Sequence, residues 1–540
     1  MGAAVGYLPF VPDVHVPPPW ILDGVLPPLL YATAVNLPAT DFRRNIAPIT
    51  GLSVVLVLLS TLVTGGLLVL LFPTLDVFAA FAVGAIVSPT DAVAATSIAR
   101  RLGLPERTVT VLEGESLVND ASALTLLRAF TAAAAAGSVN LLAIGGQFAY
   151  SVLAAAAIGL AAGWLTAELR ARLSDPVLTT TVSFVVPFIA FVPADRVGAS
   201  GVLAAVVAGL VTGARGAHRF EPSQRVSDRT NWRTVQFVLE SAVFLAMGLE
   251  LRSLVAQIDR TSSTLGEAVG VGVLVTAVLL AVRTVYVAAE LPVLRRFERL
   301  ALHRADELDA KAERLEAIDP DDHRTAARKE KAERTLAQRR ADLRFLQENG
   351  LSWRGAAVVS WSGMRGVVTL AAAESLDQGF PLRPLLVLVA FTVAVVTLLG
   401  FGGTLPGVIR LTRLRGTDRQ ARRDEVRELL EQVNRSSLRV LDDEEQRKVG
   451  GEEPDPRVLE SLRARYGYRA DPDDEEAAEG RDDDTVRDQF LVLRRRMRQA
   501  AREELLDARS VGEYSTRAIR TAQEILDLSD AREDRIRDEL

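Results

Sequence analysis

The chain has 540 residues, 49% of them hydrophobic and 24% charged, with a formal net charge of −6. Of the charged side chains, 61 lie in residues 413–540 and 27 in residues 295–350, so the other 356 residues carry about 12% charge, too little to cover a soluble globule. Cysteine is absent, which excludes disulfides, thiolate metal sites and thiol catalysis. The four histidines, His15, His218, His303 and His323, all lie outside apolar runs. The two charged segments mix both signs, so nucleic acid is not a partner the sequence points to.

The pattern is that of an all-α polytopic membrane protein with two hydrophilic appendages. Residues 1–21 contain Pro17-Pro18-Pro19 and a short apolar piece but no full span. They lack the basic start and cleavage site of a signal peptide. A first helix that starts outside, with nothing before it, points to missing upstream sequence; simple insertion with the N-terminus outside is the alternative. Apolar segments of spanning length follow near 22–38, 48–72, 78–99, 108–136, 141–168, 177–194, 198–214, 232–251 and 265–291, then 353–377 and 384–410. Phe72-Pro73-Thr74 and Pro193-Ala194-Asp195 mark turns between them. The expected organisation is a short N-terminal segment (1–21), nine spans in 22–294, a charged helical insert (295–352), two further spans in 353–412 and a charged helical tail (413–540).

Basic residues orient the spans. Alternate loops hold Arg43 and Arg44; Arg100, Arg101 and Arg107; Arg170 and Arg172; Arg215, Arg219, Arg225 and Arg229; then the start of the insert. The opposite loops hold only Arg196, Arg252, Arg260 and Arg383. The Arg-rich side is therefore expected to be cytoplasmic, with insert and tail on that side. The insert reads as a helical hairpin, Asp306–Glu316 and His323–Glu348, broken at Asp319-Pro320. The tail has helical stretches near 424–447, 485–507 and 513–538, the first separated from the others by the acidic loop Asp471–Asp484. Both read as regulatory or packing elements, or as plain solvated helices.

Ionisable groups inside spans need a pair, a wet cavity or a proton. At ~1.5 Å per residue from the inner end, Asp91 lies roughly 13 Å deep and Asp120 roughly 20 Å deep. Pro89, in Ser88-Pro89-Thr90-Asp91, removes an amide donor, so the helix is expected to break beside that carboxylate. In 108–136, Glu115, Ser116, Asn119 and Asp120 share one face. An amide and an acid side by side in an apolar run have no packing rationale. Glu113 and Arg128 lie nearer the ends and face water. Arg283 lies roughly 18 Å deep, stays charged, and has Glu115 as its natural partner at a comparable depth. Trp361-Ser362-Gly363-Met364-Arg365-Gly366 marks a second interruption. Arg365 there can neutralise half-helix C-terminal dipoles. Glu240 and Glu374 also lie in apolar runs, without an assigned role.

Two carboxylates with hydroxyls, an amide and unwound carbonyls form a hard-oxygen site suited to a small monovalent cation. The same carboxylate binds a proton. If the empty, charged site crosses the barrier poorly and either loaded form crosses readily, competition becomes obligatory exchange. No cofactor is expected.

The runs AFAVGAIVSPTDAVAATSIARRLGLPERTVTVLEGESLVNDASALTLL and WSGMRGVVTLAAA resemble sodium/proton antiporters of the monovalent cation–proton antiporter family, which includes bacterial NhaP-type and animal NHE-type exchangers. The resemblance covers most of 22–410. It implies an inverted-repeat fold of thirteen helices with two broken crossing helices, a dimerisation domain and a moving core, of which two upstream helices are not found here. It implies that Asp120 carries the ion, with Na+ held at Asp120 and Asp91 and the site completed by Thr90 and Ser116. Asn119 would be the neutral neighbour of electroneutral exchange. Glu115 and Arg283 would form the salt bridge beside the site, and Arg365 would match the Arg of the second broken helix. Thr90-Asp91-Ala92 departs from the Thr-Asp-Pro of many prokaryotic members. The implied partners are Na+ (K+ or Li+ in its place), H+, the lipid bilayer and a second copy in a homodimer. The implied location is the plasma membrane.

Potassium/proton exchange by the same machinery is the nearest alternative. An intramembrane aspartyl protease would use two opposed Asp residues, but no Gly-x-Gly-Asp sequence is present. A cation channel would show a ring of acids or a carbonyl filter, and no filter-like run is evident.

Overall fold

The structure, a computed structural model, describes residues 17–136, 141–173, 175–258, 264–302, 323–377, 379–414, 419–467 and 484–539. The expected helix Asp306–Glu316, its break at Asp319-Pro320 and nearly all of the acidic loop lie outside these residues. The described residues are helical, with one isolated antiparallel bridge between Val449 and Glu452.

A π-helical turn, Trp20–Val25, leads into α1 (Leu26–Asn36). A short helix, α2 (Ala39–Arg44), precedes α3 (Ile46–Leu71), which contains a π-helical turn at Gly51–Val55. Asp76 caps α4 (Val77–Val87) through the amides of Phe78 and Ala79. Helical bonding stops at Ser88 and resumes in α5 (Val93–Leu102). Then come α6 (Glu106–Ala136), α7 (Leu141–Arg170), α8 (Pro176–Arg196), α9 (Gly201–Arg219), α10 (Pro222–Ile258) and α11 (Leu265–Leu302). After the insert helix α12 (His323–Glu348), α13 (Trp353–Trp361) stops short of α14 (Val367–Glu374). The last apolar helix, α15 (Arg383–Thr412), has a π-helical turn at Val396–Phe401.

Among the described residues, α3, α11 and α15 are long and apolar enough to cross a membrane, as are Gly145–Arg170 and Val177–Arg196 of α7 and α8. Other expected spans fall short for physical reasons. The helices flanking Ser88–Ala92 and Ser362–Gly366 are half-length, and α6 carries Glu113, Glu115, Asn119, Asp120 and Arg128. The helices α10 and α11 run well past the expected ends at 251 and 291.

Three expectations are corrected. Pro193 does not turn the chain: it lies inside α8, which runs on to Arg196, so its ring costs the bond to the carbonyl four residues back without ending the helix. The turn falls at Val197–Ala199, where Gly198 takes φ 74°, a conformation open to glycine. Arg107 and Arg170, counted as loop cations, are buried. Arg107 Nε donates to Asn45 Oδ1 at 2.9 Å and its Nη2 pairs with Glu298 at 2.7 Å. Arg170 pairs with Asp228 and lies 4.4 Å over the Phe220 ring. Finally, the insert does not begin at 295: residues 295–302 continue α11 and, with 346–416, group with the membrane-spanning unit.

That unit has two main apolar clusters. One gathers Leu68, Val83, Ile86, Leu279, Leu370 and Val389 from α3, α4, α11, α14 and α15. The other gathers Tyr31, Ala162, Val186, Phe191, Ala204 and Trp232 from α1 and α7–α10. Helix α6 serves both: Ala123, Leu126 and Leu127 pack into the first, Leu117 and Ala121 into the second. Asp120 sits between these two sets, on the seam.

The second unit joins residues 303–345 with 417–540. Its described helices are most of α12 together with α16 (Arg419–Asp442), α17 (Glu444–Arg447), α18 (Pro456–Gly467), α19 (Asp484–Val511) and α20 (Thr516–Glu539). The described partner of α12 is thus the tail: Gln338 Nε2 donates to Ser510 O at 3.0 Å, and Arg344 faces Glu513 at 3.4 Å. Helix α18 escapes a charge-based reading, although Asp455-Pro456 is a helix-start signal. The Asp455 carboxylate accepts from Arg457 N at 2.8 Å, and Pro456 is the first helical residue. One core holds Leu429, Leu505 and Ile519 together, a second Leu441, Leu462 and Met497. Leu429→Ala is expected to cost this unit about 2–5 kcal/mol. Limited proteolysis of the full chain would then cut α12 and the tail helices together at lower temperature. Cutting of the tail alone would show that α12 is not part of the unit.

Candidate functional site

Stopping a helix frees carbonyls on one side of the gap and amides on the other, and the two interruptions supply each other's partners. Asp91 N donates to Met364 O at 2.7 Å. The Asp91 carboxylate accepts from Val93 N, the first amide of α5, at 2.9 Å. It also lies against Gly366, just before α14, so closely that a Cβ there would overlap it. Asp91 therefore faces the N-terminal ends of α5 and α14, where helix dipoles favour a negative group.

Arg365 does the converse. Its Nε donates to Val87 O, the last residue of α4, at 3.2 Å, and its Nη1 to Gly363 O just beyond α13. Its own amide donates to Thr397 Oγ1 at 2.9 Å. A buried guanidinium thus occupies the carbonyl ends of the two first halves. Thr397 was not singled out in the sequence, since a hydroxyl in an apolar helix ordinarily bonds the preceding turn, as Thr397 also does to Val393 O at 2.8 Å.

Between these ends runs a second chain of contacts. Glu115 and Arg283, each 2% exposed at the side chain, form a two-pronged ion pair, with Nη2 to Oε2 at 2.7 Å and Nη1 to Oε1. Arg283 Nε also donates to Val359 O in the last turn of α13, at 3.0 Å. Glu115 Oε1 accepts from Thr90 Oγ1 at 2.6 Å. Asn119 Nδ2 donates to Thr90 O at 2.7 Å and Thr90 Oγ1 at 3.0 Å, while its buried Oδ1 has no partner. Ser116 Oγ accepts from Ala92 N at 3.3 Å. The pair, the hydroxyls and the amide therefore hold the Thr90–Ala92 segment against α6.

Asp120 is different. It is 7% exposed, and no described residue donates a hydrogen bond to it. Asp91 is the charged neighbour whose field acts on it. Of the residues expected at the site, Thr90, Asp91, Glu115, Ser116, Asn119, Arg283 and Arg365 are joined by hydrogen bonds or close packing. Asp120 stands beside them with its oxygens uncommitted. The two unassigned acids have partners: Glu374 pairs with Arg383 at 2.8 Å, and Glu240 accepts from Gln236 at 2.8 Å. Glu113 and Arg128 lie at wet ends, paired with Arg100 and Asp195.

A family profile described as sodium/hydrogen exchanger, transmembrane, matches residues 1–411, three quarters of the chain. The chain belongs to the sodium/hydrogen exchanger family. It is a multi-pass membrane transporter, not an enzyme, and its activity is monovalent cation/proton antiport. An uncharacterized Na+/H+ exchanger of Mycobacterium tuberculosis is 29% identical over 421 residues, 76% of this chain and 69% of that one. A sodium, potassium, lithium and rubidium/H+ antiporter of Bacillus subtilis is 29% identical over 269 residues, 48% of this chain and 40% of that one. The fold is shared with the sodium proton antiporter MjNhaP1 from Methanocaldococcus jannaschii, at a TM-score of 0.50 and 15% identity over 75% of this chain and 88% of that one.

Arg283→Ala would leave Glu115 as an uncompensated buried charge, at a cost of about 3–5 kcal/mol. The thermal unfolding midpoint of the purified protein should drop sharply, and removing Glu115 as well should recover part of the loss. An unchanged midpoint in Arg283→Ala would mean that the pair does not hold the site.

Proposed function

We propose that the chain exchanges Na+ for H+ across the plasma membrane by alternating access, with the Asp120 carboxylate binding either ion. The observation that carries this reading is the contrast at the site. Every other ionisable group there is committed to a partner, whereas Asp120 is buried on the seam with free oxygens. A desolvated carboxylate without a donor is stabilised by a bound cation or by a proton, and one excludes the other.

In this reading Na+ lies between Asp120 and Asp91, with Thr90 and Ser116 completing an oxygen shell, the donor set a small hard cation takes. Glu115, Arg283, Asn119 and Arg365 position that shell and do not carry the ion. The uncharged Asn119 leaves one titrating acid at the step, which makes exchange one-for-one and electroneutral. The segments flanking Ser88–Ala92 and Ser362–Gly366 are two broken helices crossing at mid-membrane in an inverted repeat. The cluster around α4 and α15 moves against the cluster around α9, and α6 carries Asp120 between them. The protein works as a homodimer, with the Arg-rich side, insert and tail in the cytoplasm.

Potassium/proton exchange is the second reading. It is favoured by the Bacillus subtilis relative, whose name covers potassium as well as sodium. The competition at Asp120 is the same, and the size of the oxygen shell makes the choice.

In proteoliposomes with an internal pH dye, Na+ addition should drive proton flux in the parent. Asp120→Asn should abolish it while keeping the parent's gel-filtration profile. Normal flux in that variant would remove the core of the proposal, and a response to K+ alone would decide for the second reading.

A further inference from the structure

The end of α6 away from the Arg-rich loops borders a pocket of about 500 Å³. Four of its lining residues, Leu124, Leu127, Arg128 and Thr131, follow Asp120 by four, seven, eight and eleven positions. Helical periodicity puts these positions on the Asp120 face of α6. The pocket therefore lies on a straight continuation of that face. Asp23 and Asp377 complete its charged lining.

One ion pair crosses the seam at this level. Arg128 Nη2 meets Asp195 Oδ1 at 2.9 Å, tying α6 to the end of α8. Beside Arg128, Leu127 and Phe130 pack into the cluster around α4 and α15. Beside Asp195, Phe191 and Ala194 pack into the cluster around α9. The pair thus joins the two bodies whose separation would open a path along α6. Asp23 lies within the field of both partners, so the guanidinium that pairs with Asp195 also faces a second acid. An arriving cation and the Arg128 side chain compete for the same carboxylates.

We infer that the Arg128–Asp195 pair is the latch of an outer vestibule: it holds the seam shut at this end, and external cations reach Asp120 through the pocket when it parts. The inference rests on the antiport reading above. It gives Arg128, which no part of the ion shell uses, a role in access. The side chains of the pair are 59% and 40% exposed. Such a pair biases an open–closed equilibrium only modestly, by about two- to fivefold, as a reversible latch requires.

The chain has no cysteine, so a single introduced thiol reports access directly. Leu124→Cys, between the pair and Asp120, would be labelled from outside with a membrane-impermeant maleimide in sealed vesicles. Adding Arg128→Ala or Asp195→Ala should raise the labelling rate about two- to fivefold. Labelling at Ala135→Cys, on the far side of the pair, should not change. The charge swap, Arg128→Asp with Asp195→Arg, should return the rate to the parent's. In exchange assays, Arg128→Ala should also lower the half-saturating external Na+ concentration, since it removes the competing cation. Unchanged labelling at 124 in both single variants, an equal rise at 124 and 135, or a swap that labels as fast as the single variants would each overturn the latch. Labelling needs no transport, so a parent that labels as expected but moves no protons would sink the antiport reading alone.

Discussion

A helix interrupted inside an apolar medium leaves backbone groups with no water to satisfy them, and that constraint organises the centre of this protein. Two interruptions, at Ser88–Ala92 and Ser362–Gly366, are brought together so that each satisfies part of the other. The remaining polarity is handled by charge. A carboxylate, Asp91, stands at the amide ends of α5 and α14. A guanidinium, Arg365, stands at the carbonyl ends of α4 and α13. Neither arrangement works alone, since reversing either charge would set it against two helix ends at once. Gly366 is what permits the contact, because any larger residue would drive Asp91 away.

The Glu115–Arg283 pair extends the same logic into three helices. Arg283 brings a permanent charge from α11, Glu115 neutralises it from α6, and each has capacity left for the backbone or hydroxyl of an interrupted segment. A buried pair is weak evidence for stability as such. Here it fixes registry: α6, α11, α13 and the Thr90 segment cannot shift independently without stranding a charge. Asp120 is exempt from this web, one residue beyond Asn119, and that exemption leaves its oxygens without a donor among the described residues.

Much of this was legible because the bilayer makes polarity conspicuous. Pro89, Asp91, Asp120, Arg283 and Arg365 stand out against apolar runs, and an Arg at depth demands an acid at similar depth, which picks out Glu115. What a linear reading could not provide was anything that depends on backbone partners. The carbonyls of Val87 and Val359 and the Thr397 hydroxyl are invisible until the helices are in place. The Glu374–Arg383 bridge has no local signal, because its members fall on opposite sides of a turn, one at the end of α14 and one at the start of α15. Pro193 reads as punctuation because proline is common just past a helix end, whereas α8 here runs through it to Arg196. The association of α12 with the tail joins segments about seventy residues apart, beyond the reach of any local pattern.

That association bears on how the chain is made. At a synthesis rate of about 5–20 residues per second, α12 leaves the ribosome on the order of ten seconds before Ser510 at the end of α19 and Glu513 just after it, residues it contacts. During that interval the ribosome still has to deliver α13 through α15 to the bilayer. A lone, strongly charged helix with little apolar surface can wait in water without aggregating, which a greasy one could not. The high charge of α12 is therefore suited to the delay that its position in the chain imposes.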